Sequence, residues 1–389
     1  MRGLSRQSDK TVVLFVTAES TALTFYRGYL SYLADRGWNV VIGANSSSGR
    51  LRMMAEEEGA RFIHVDWKRE PALFSDIYWL FKVAWILRKL RPNAVVSATP
   101  KAGLIGTLAA ILARVPVRIY QLWGLRLETT KGLFRASLMM LEWLTARAAT
   151  QVVANSRSLA TRFEELGLAQ EGSVVVLGNG SSHGVNTDHF DPSMEVKLDS
   201  DTQKFLDKNP AKLTVVFIGR LHKDKGVDTL LSAVALALKN GVNARVLLVG
   251  GSEGASLSCQ IEELGEKVVH VVGRVEDVRP YIQNADILCL PSLREGFPNV
   301  VLEAASLGVP AIVSDATGVV DSVIDEETGR IFPVGDVDRL SELLQELAGD
   351  REKIENLGKN ARAWILRDFQ QQHVWSLQAS NLNSQVNKL

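Results

Sequence analysis

Short β-branched runs alternate with helical stretches along this chain, stop, and start again, and that interrupted rhythm limits the fold more than any other feature. Residues 12–16, 39–43, 62–65, 94–97, 118–121, 151–154 and 174–177 read as strands. Helical patterns at 25–35, 51–59, 75–90, 101–114, 132–149 and 156–166 separate them. Such alternation implies a parallel sheet covered by helices on both faces. At Gly178-Asn179-Gly180-Ser181-Ser182-His183-Gly184 the composition turns to that of a loop, and residues 193–210 read as a polar linker with a short helix. A second alternation then begins, with strands at 213–219, 244–249, 267–272, 286–290 and 310–313 and helices at 226–240, 256–265, 277–284, 299–307 and 336–349. A helical region, 352–389, closes the chain. The expected architecture is α/β: two doubly wound domains, 1–192 and 211–365, facing a central cleft, with a C-terminal helix at 366–389 packing back on the first. Ligands of such sheets bind beyond the carboxyl ends of the strands.

At 389 residues with 46% hydrophobic side chains, the chain can bury two cores. Cys259 and Cys289 lack metal-ligand spacing, which fits a reducing compartment. No secretory leader is expected, because the apolar run at residues 11–16 is too short. The longest uncharged apolar segment, 102–113, falls short of the roughly 20 residues that span a bilayer. Zero net charge hides an asymmetry: residues 1–150 hold 21 Lys and Arg against 11 Asp and Glu, and the remainder 23 against 33. Six of the eight tryptophans lie in the basic part. The halves are expected to meet different partners, none of them a nucleic acid.

The stretch from Arg294-Glu295-Gly296-Phe297-Pro298-Asn299-Val300 to Glu303 follows a strand-like run and opens a short helix, with Pro298 near its first turn. A helix start favours phosphate through its amides and macrodipole. Glu295 just before it and Glu303 about two turns in offer acceptors for hydroxyls, a layout suited to a nucleotide sugar. Phe217-Ile218-Gly219-Arg220-Leu221-His222-Lys223-Asp224-Lys225-Gly226 ends the first strand of the second alternation. Gly219 permits close backbone approach, and Arg220 and Lys225 can neutralise a departing diphosphate without a metal.

With these segments, and with Leu248-Val249-Gly250, Gly273-Arg274-Val275 and Asn284-Ala285-Asp286, nearly the whole chain resembles the glycosyltransferase family-four enzymes of GT-B fold. Thr99-Pro100-Lys101-Ala102-Gly103 and Leu177-Gly178-Asn179-Gly180-Ser181-Ser182 resemble the branch that builds bacterial surface polysaccharides on lipid carriers. The resemblance implies a retaining hexosyl- or N-acetylhexosaminyl-transferase using a UDP-sugar, an undecaprenyl-type lipid-linked saccharide acceptor, no cofactor and no metal. It assigns Arg220 and Lys225 to the diphosphate and Glu295 to the donor sugar, these three being the expected catalytic group. It further assigns Glu303 to the ribose, the Asn299 and Val300 amides to phosphate, Val275 to the base, and Gly219 and Phe297 to the donor site. Lys101 and Trp123 are the expected acceptor-side residues. A sugar-nucleotide epimerase of the same fold and a transferase with a soluble acceptor are the competing readings.

Many relatives carry a histidine before the glycine where this chain has Tyr120-Gln121-Leu122-Trp123-Gly124, and a tryptophan is neither acid nor base. A front-face mechanism, in which the leaving phosphate oxygen takes the acceptor's proton, does not need that histidine. Gly250-Gly251-Ser252-Glu253-Gly254 lacks both phosphate-loop spacings and reads as a turn. Asp336-Val337-Asp338 reads as a helix cap, and Asp199-Ser200-Asp201 as linker, rather than metal ligands. His183 and His189 lie in the interdomain loop. The stretches 76–91 and 131–147 mix aromatics with Lys and Arg, and suit either a core or an anionic membrane surface. The charge asymmetry favours the membrane, on the inner face of a bacterial plasma membrane.

Overall fold

The computed structural model describes residues 10–67, 72–252 and 258–388. Two compact units divide the chain, one running up to His183 and resuming at Gln372, the other spanning Gly184–Gln371.

The first unit is built on strands β1 (Lys10–Ala18), β2 (Trp38–Asn45), β3 (Arg61–His64), β4 (Ala94–Ala98), β5 (Val117–Leu122), β6 (Gln151–Ala154) and β7 (Val175–Val176). They form one sheet in the order β3-β2-β1-β4-β5-β6-β7, every neighbouring pair parallel. Successive side chains of a strand face opposite ways, and both faces of β1 are buried. Val12, Leu14 and Val16 meet Leu30, Leu33 and Leu382, whereas Val13 and Phe15 meet Trp79, Val83 and Ile105. The expected helix at 25–35 is two helices, Glu19–Phe25 and Tyr29–Ala34, separated where Gly28 takes a φ of 80°.

The second unit holds β8 (Leu213–Ile218), β9 (Ala244–Val249), β10 (Val269–Gly273), β11 (Ile287–Leu290), β12 (Ala311–Ser314) and β13 (Gly329–Phe332). Their order is β10-β9-β8-β11-β12-β13, again all parallel. β13 is absent from the sequence reading: it is short, its second residue is Arg330, and only Ile331 and Phe332 mark it as a strand.

The chain divides at His183, ahead of the boundary expected at 192, and residues 193–210 are not a linker. Helix Ser200–Lys208 buries Thr202, Phe205 and Leu206 in the second unit, and Asp199 caps it by accepting from the amides of Asp201 and Thr202. The helical region at 352–389 is two helices, Arg351–Asp368 and Gln371–Asn387, the second answering to the helix expected at 366–389. The latter packs Trp375, Ala379, Leu382 and Val386 into the first unit's core and exchanges amide hydrogen bonds with Gln151 through Asn381. The expected helix at 256–265 is Ser258–Leu264, its first residues lying outside the described ones.

Trp375 anchors this last helix, its ring centre 5.4 Å from Tyr32 and 5.9 Å from Tyr29. Trp375→Ala should destabilise the first unit by about 3–5 kcal/mol. Hydrogen exchange checks this: amide protection of β1 and β2 should fall while that of β8 and β9 holds.

Candidate active site

In the second sheet the chain runs outward from β8 through β9 to β10, then returns to place β11 on the other side of β8. β8 and β11 therefore flank a topological switch point, and their carboxyl-end loops diverge to leave a crevice. The two charged segments singled out from the sequence are those loops. Residues 219–226 follow β8, and residues 291–298 follow β11.

Two ion pairs clasp the loops across the switch point. Lys225 Nζ donates to Glu295 Oε1, which also accepts from Ser292 Oγ at 2.9 Å. Beside it, Arg294 Nη2 donates to Asp224 Oδ2 at 2.9 Å. The pairing is crossed: each loop carries adjacent residues of opposite sign, Asp224-Lys225 and Arg294-Glu295, and each binds its opposite on the other loop. Arg220 stands exposed at the start of the first loop.

Backbone contacts fix the floor. Gly219 N donates to Val249 O at 2.9 Å, and Gly250 N to Gly273 O at 2.8 Å, joining the ends of β8, β9 and β10. A Cβ on Gly250, whose φ is +148°, would lie 1.8 Å from Gly219 O, so no other residue fits there. Ser252 lies on an isolated bridge with Leu221, which supports the turn reading of this segment; Glu253 and Gly254 lie outside the described residues. Glu295 N donates to Thr317 O at 2.9 Å, and a Cβ on Gly318 would meet both Glu295 O and Gly296 O at 2.4 Å. The loop after β12 thus seals the other side of Glu295.

Helix Asn299–Ser306 starts from this loop, with Pro298 as its N-cap residue, next to the first turn as expected. The amides of Asn299 and Val300 belong to that first turn, where a helix directs N–H groups and the positive end of its dipole outward. Glu303 lies a turn further on, half-buried, and burial pushes its carboxyl from 4.5 up to about 7.

Other expected site residues are placed differently. Val275 is half-buried beside the end of β10, at the sheet's edge. Phe297 is 6% exposed, its ring 5.5 Å from Phe369 in a cluster with Trp364 and Leu302, so it packs the helix and does not line the crevice. Asp286, part of the motif at 284–286, lies at the opposite end of the sheet and accepts from Thr214 N at 2.6 Å. Asp336 caps helix Val337–Gly349. Among the described residues no three His, Cys, Asp or Glu side chains converge as metal ligands.

Lys101 and Trp123 belong to the first unit. Lys101 Nζ is paired with Asp76 Oδ1 at 2.8 Å, near the start of helix Pro100–Leu112. Just ahead of that helix, Thr99 holds a φ of 71°, unusual for a β-branched residue, and its Oγ1 is 2.6 Å from that of Thr17. This is the first sheet's own switch point, between β1 and β4. Trp123, after β5, stacks on Phe25 at 4.5 Å, and Phe25 meets the His183 ring edge-on at 4.9 Å. Burial holds His183 down near 4, hence neutral at physiological pH. His189 sits in the second unit, its carbonyl accepting from Arg279.

Residues 199–364 match the family described as Glycosyl transferases group 1, and residues 23–180 match the Glycosyl transferase 4-like domain. The capsular polysaccharide biosynthesis glycosyltransferase CapM of Staphylococcus aureus is 33% identical over 96% of this chain and 97% of its own length. The N,N'-diacetylbacillosaminyl-diphospho-undecaprenol alpha-1,3-N-acetylgalactosaminyltransferase of Campylobacter jejuni is 31% identical over 72% of this chain and 74% of its own. Among solved structures, Anabaena HepE in complex with UDP and glucose superposes with a TM-score of 0.78 at 20% identity, covering 96% of this chain and 100% of that one. The two parallel-sheet units are those of the GT-B fold.

The Glu303 shift has a definite pH consequence. Between about 4.5 and about 7 the folded protein keeps a proton that the unfolded chain has released, so stability falls as pH rises through that window. Glu303→Gln stays neutral throughout. It should melt close to the native protein near pH 4.5 and roughly several degrees above it near pH 8. Thermal unfolding at both values checks this, and coincident melts at the higher pH would refute it.

Proposed function

The chain belongs to the group 1 glycosyl transferases, and we propose that it is a retaining, metal-independent enzyme working from a UDP-sugar. It moves a hexosyl or N-acetylhexosaminyl group to a lipid-linked saccharide in bacterial polysaccharide biosynthesis. The crossed ion-pair clasp beside a helix start carries this reading. It gathers two cations, two carboxylates and first-turn amides suited to phosphate where a doubly wound sheet takes a ligand. The S. aureus relative's name supports the polysaccharide, the C. jejuni relative's name the undecaprenyl-linked acceptor, and the UDP bound to Anabaena HepE the donor.

In this reading Arg220 and Lys225 hold the diphosphate, with the Asn299 and Val300 amides on phosphate oxygens. Glu295 accepts from donor-sugar hydroxyls, Glu303 from the ribose, and Val275 packs on the base. Gly219 and Gly250 keep the floor low enough for backbone approach. Lys225 and Glu295 neutralise each other in the clasp, and a donor replaces that contact with a phosphate for the one and hydroxyls for the other. The C1–phosphate oxygen bond breaks as the C1–acceptor oxygen bond forms on the same face. The acceptor's proton passes to the leaving phosphate oxygen, so Trp123 need supply no base. Lys101 and Trp123, in the first unit, are assigned to the acceptor. A lipid-linked acceptor makes an anionic membrane the second partner, with the enzyme peripheral on its inner face.

The test is incubation with labelled UDP-sugars, with and without a saccharide-diphosphate lipid. Product should appear only with the acceptor and persist in excess chelator. Conversion of the donor alone would indicate an epimerase, and loss of activity restored by magnesium or manganese would overturn metal independence. Arg220→Ala and Lys225→Ala should each lower turnover by roughly 10²–10³. Arg220→Ala, at an exposed site, should leave stability within about 0.5 kcal/mol. Full activity in both variants would remove these residues from the donor site.

A further inference from the structure

Helices Leu73–Leu90, Pro100–Leu112 and Gly132–Ala148 lie side by side on one face of the first sheet. Their inner sides are buried through Trp79, Val83 and Leu87 on the first, Ile105 and Ala109 on the second, and Thr145 and Ala148 on the third. The outer sides of the two flanking helices are apolar yet exposed: Phe74 by 88%, Phe81 by 62%, Trp85 by 57%, Leu133 by 91% and Met140 by 63%. Monomeric proteins rarely leave so large an apolar surface to water.

The fully exposed charges on these helices are of one sign. The sole carboxylates are Asp76, paired with Lys101, and Glu142, buried and held by the Tyr120 hydroxyl at 2.8 Å. Three of the four exposed cations fold back over rings: Lys82 lies 4.3 Å from Trp79, Lys89 3.6 Å from Trp85, and Arg147 4.9 Å from Trp143, while Arg88 is the fourth. Cations snorkelling above aromatics, with no exposed carboxylate, complement anionic lipid headgroups. They do not suit a protein partner of mixed charge.

The surface also has a direction. Helices that follow parallel strands run back against them, so the first turns of 73–90 and 132–148 lie at the carboxyl end of the sheet, the end that carries Trp123 and Thr99. Phe74 and Leu133, the most exposed of all, occupy those first turns. The cation-capped Trp85 and Trp143 lie towards the other end. We propose that this face docks on an anionic bilayer, with the edge formed by Phe74 and Leu133 entering the apolar layer and Lys82, Lys89 and Arg147 resting among the headgroups. This rests on the lipid-linked acceptor proposed above and deepens it: the acceptor's chain stays in the bilayer beside that edge while its saccharide reaches the acceptor end of the unit.

Co-sedimentation with vesicles of phosphatidylcholine, with and without phosphatidylglycerol, tests the surface on the full-length protein. Native protein should bind the anionic vesicles and release as salt rises. Phe74→Ser combined with Leu133→Ser should weaken binding by at least about tenfold with an unchanged melting temperature. Lys82→Gln, Lys89→Gln and Arg147→Gln together should abolish the preference for anionic vesicles. Transfer to a saccharide diphosphate on a short water-soluble chain should be the same in all variants, whereas transfer to the polyprenyl-linked form in vesicles should fall. Native protein that ignores vesicles, a serine variant that binds like native, or a native dimer that the serine variant dissolves would each overturn the docking surface. Vesicle binding with no transfer to either acceptor would leave the surface standing and refute the catalytic reading.

Discussion

Parallel strands cannot be joined by tight turns, and that constraint governs the whole molecule. Each strand must be followed by a crossover, usually a helix, before the next can begin in the same direction. Every strand therefore delivers its following loop to the same edge of the sheet. In the second unit that edge collects residues far apart in sequence, Gly219 to Lys225, Gly250, Gly273, Ser292 to Glu295 and Thr317-Gly318. The reversal of strand order at β8 and β11 then separates two of these loops enough for a crevice, and the crossed ion pairs bridge it.

Electrostatics sets what the edge costs to build. A half-buried carboxylate such as Glu303, with its proton held up to about 7, is a poor choice for stability alone. So is the buried Glu142, also pushed up to about 7, although the Tyr120 hydroxyl satisfies one of its oxygens. The two differ in surroundings. Glu142 is enclosed within the first unit, whereas Glu303 lies one turn into a helix whose start faces the clasp. Strained or unfavourable groups gather where function demands them, and Thr99 at the first sheet's switch point follows the same pattern.

Much of this was legible in the residues. Apolar runs such as 12–16 fell within their strands because a strand buried on both faces needs little but apolar side chains. β13 escaped notice because Gly329 and Arg330 carry no such signature; Arg330 is buried by ion pairs with Glu346 and Asp325 instead. Residues 193–210 looked like a linker because helix Ser200–Lys208 buries only one narrow stripe. Glu295 and Lys225 have a role readable from the sequence, whereas Asp224 and Arg294 stand in the same motifs with none. Their signal, two adjacent opposite-sign pairs in separate loops, means something only when the loops meet.

The two alternating halves, the chemistry of the two charged loops and the mixing of aromatic with basic residues at 76–91 and 131–147 follow from residue order alone, since periodicity and residue type are local properties. Tertiary structure alone decided that Phe297 packs inward, that Asp286 serves the far end of its sheet, and that Phe74 and Leu133 stay uncovered. Whether an apolar side chain is buried depends on which neighbour arrives to cover it. Strand order and helix packing settle that, through contacts between residues too distant in the chain for any local pattern to record.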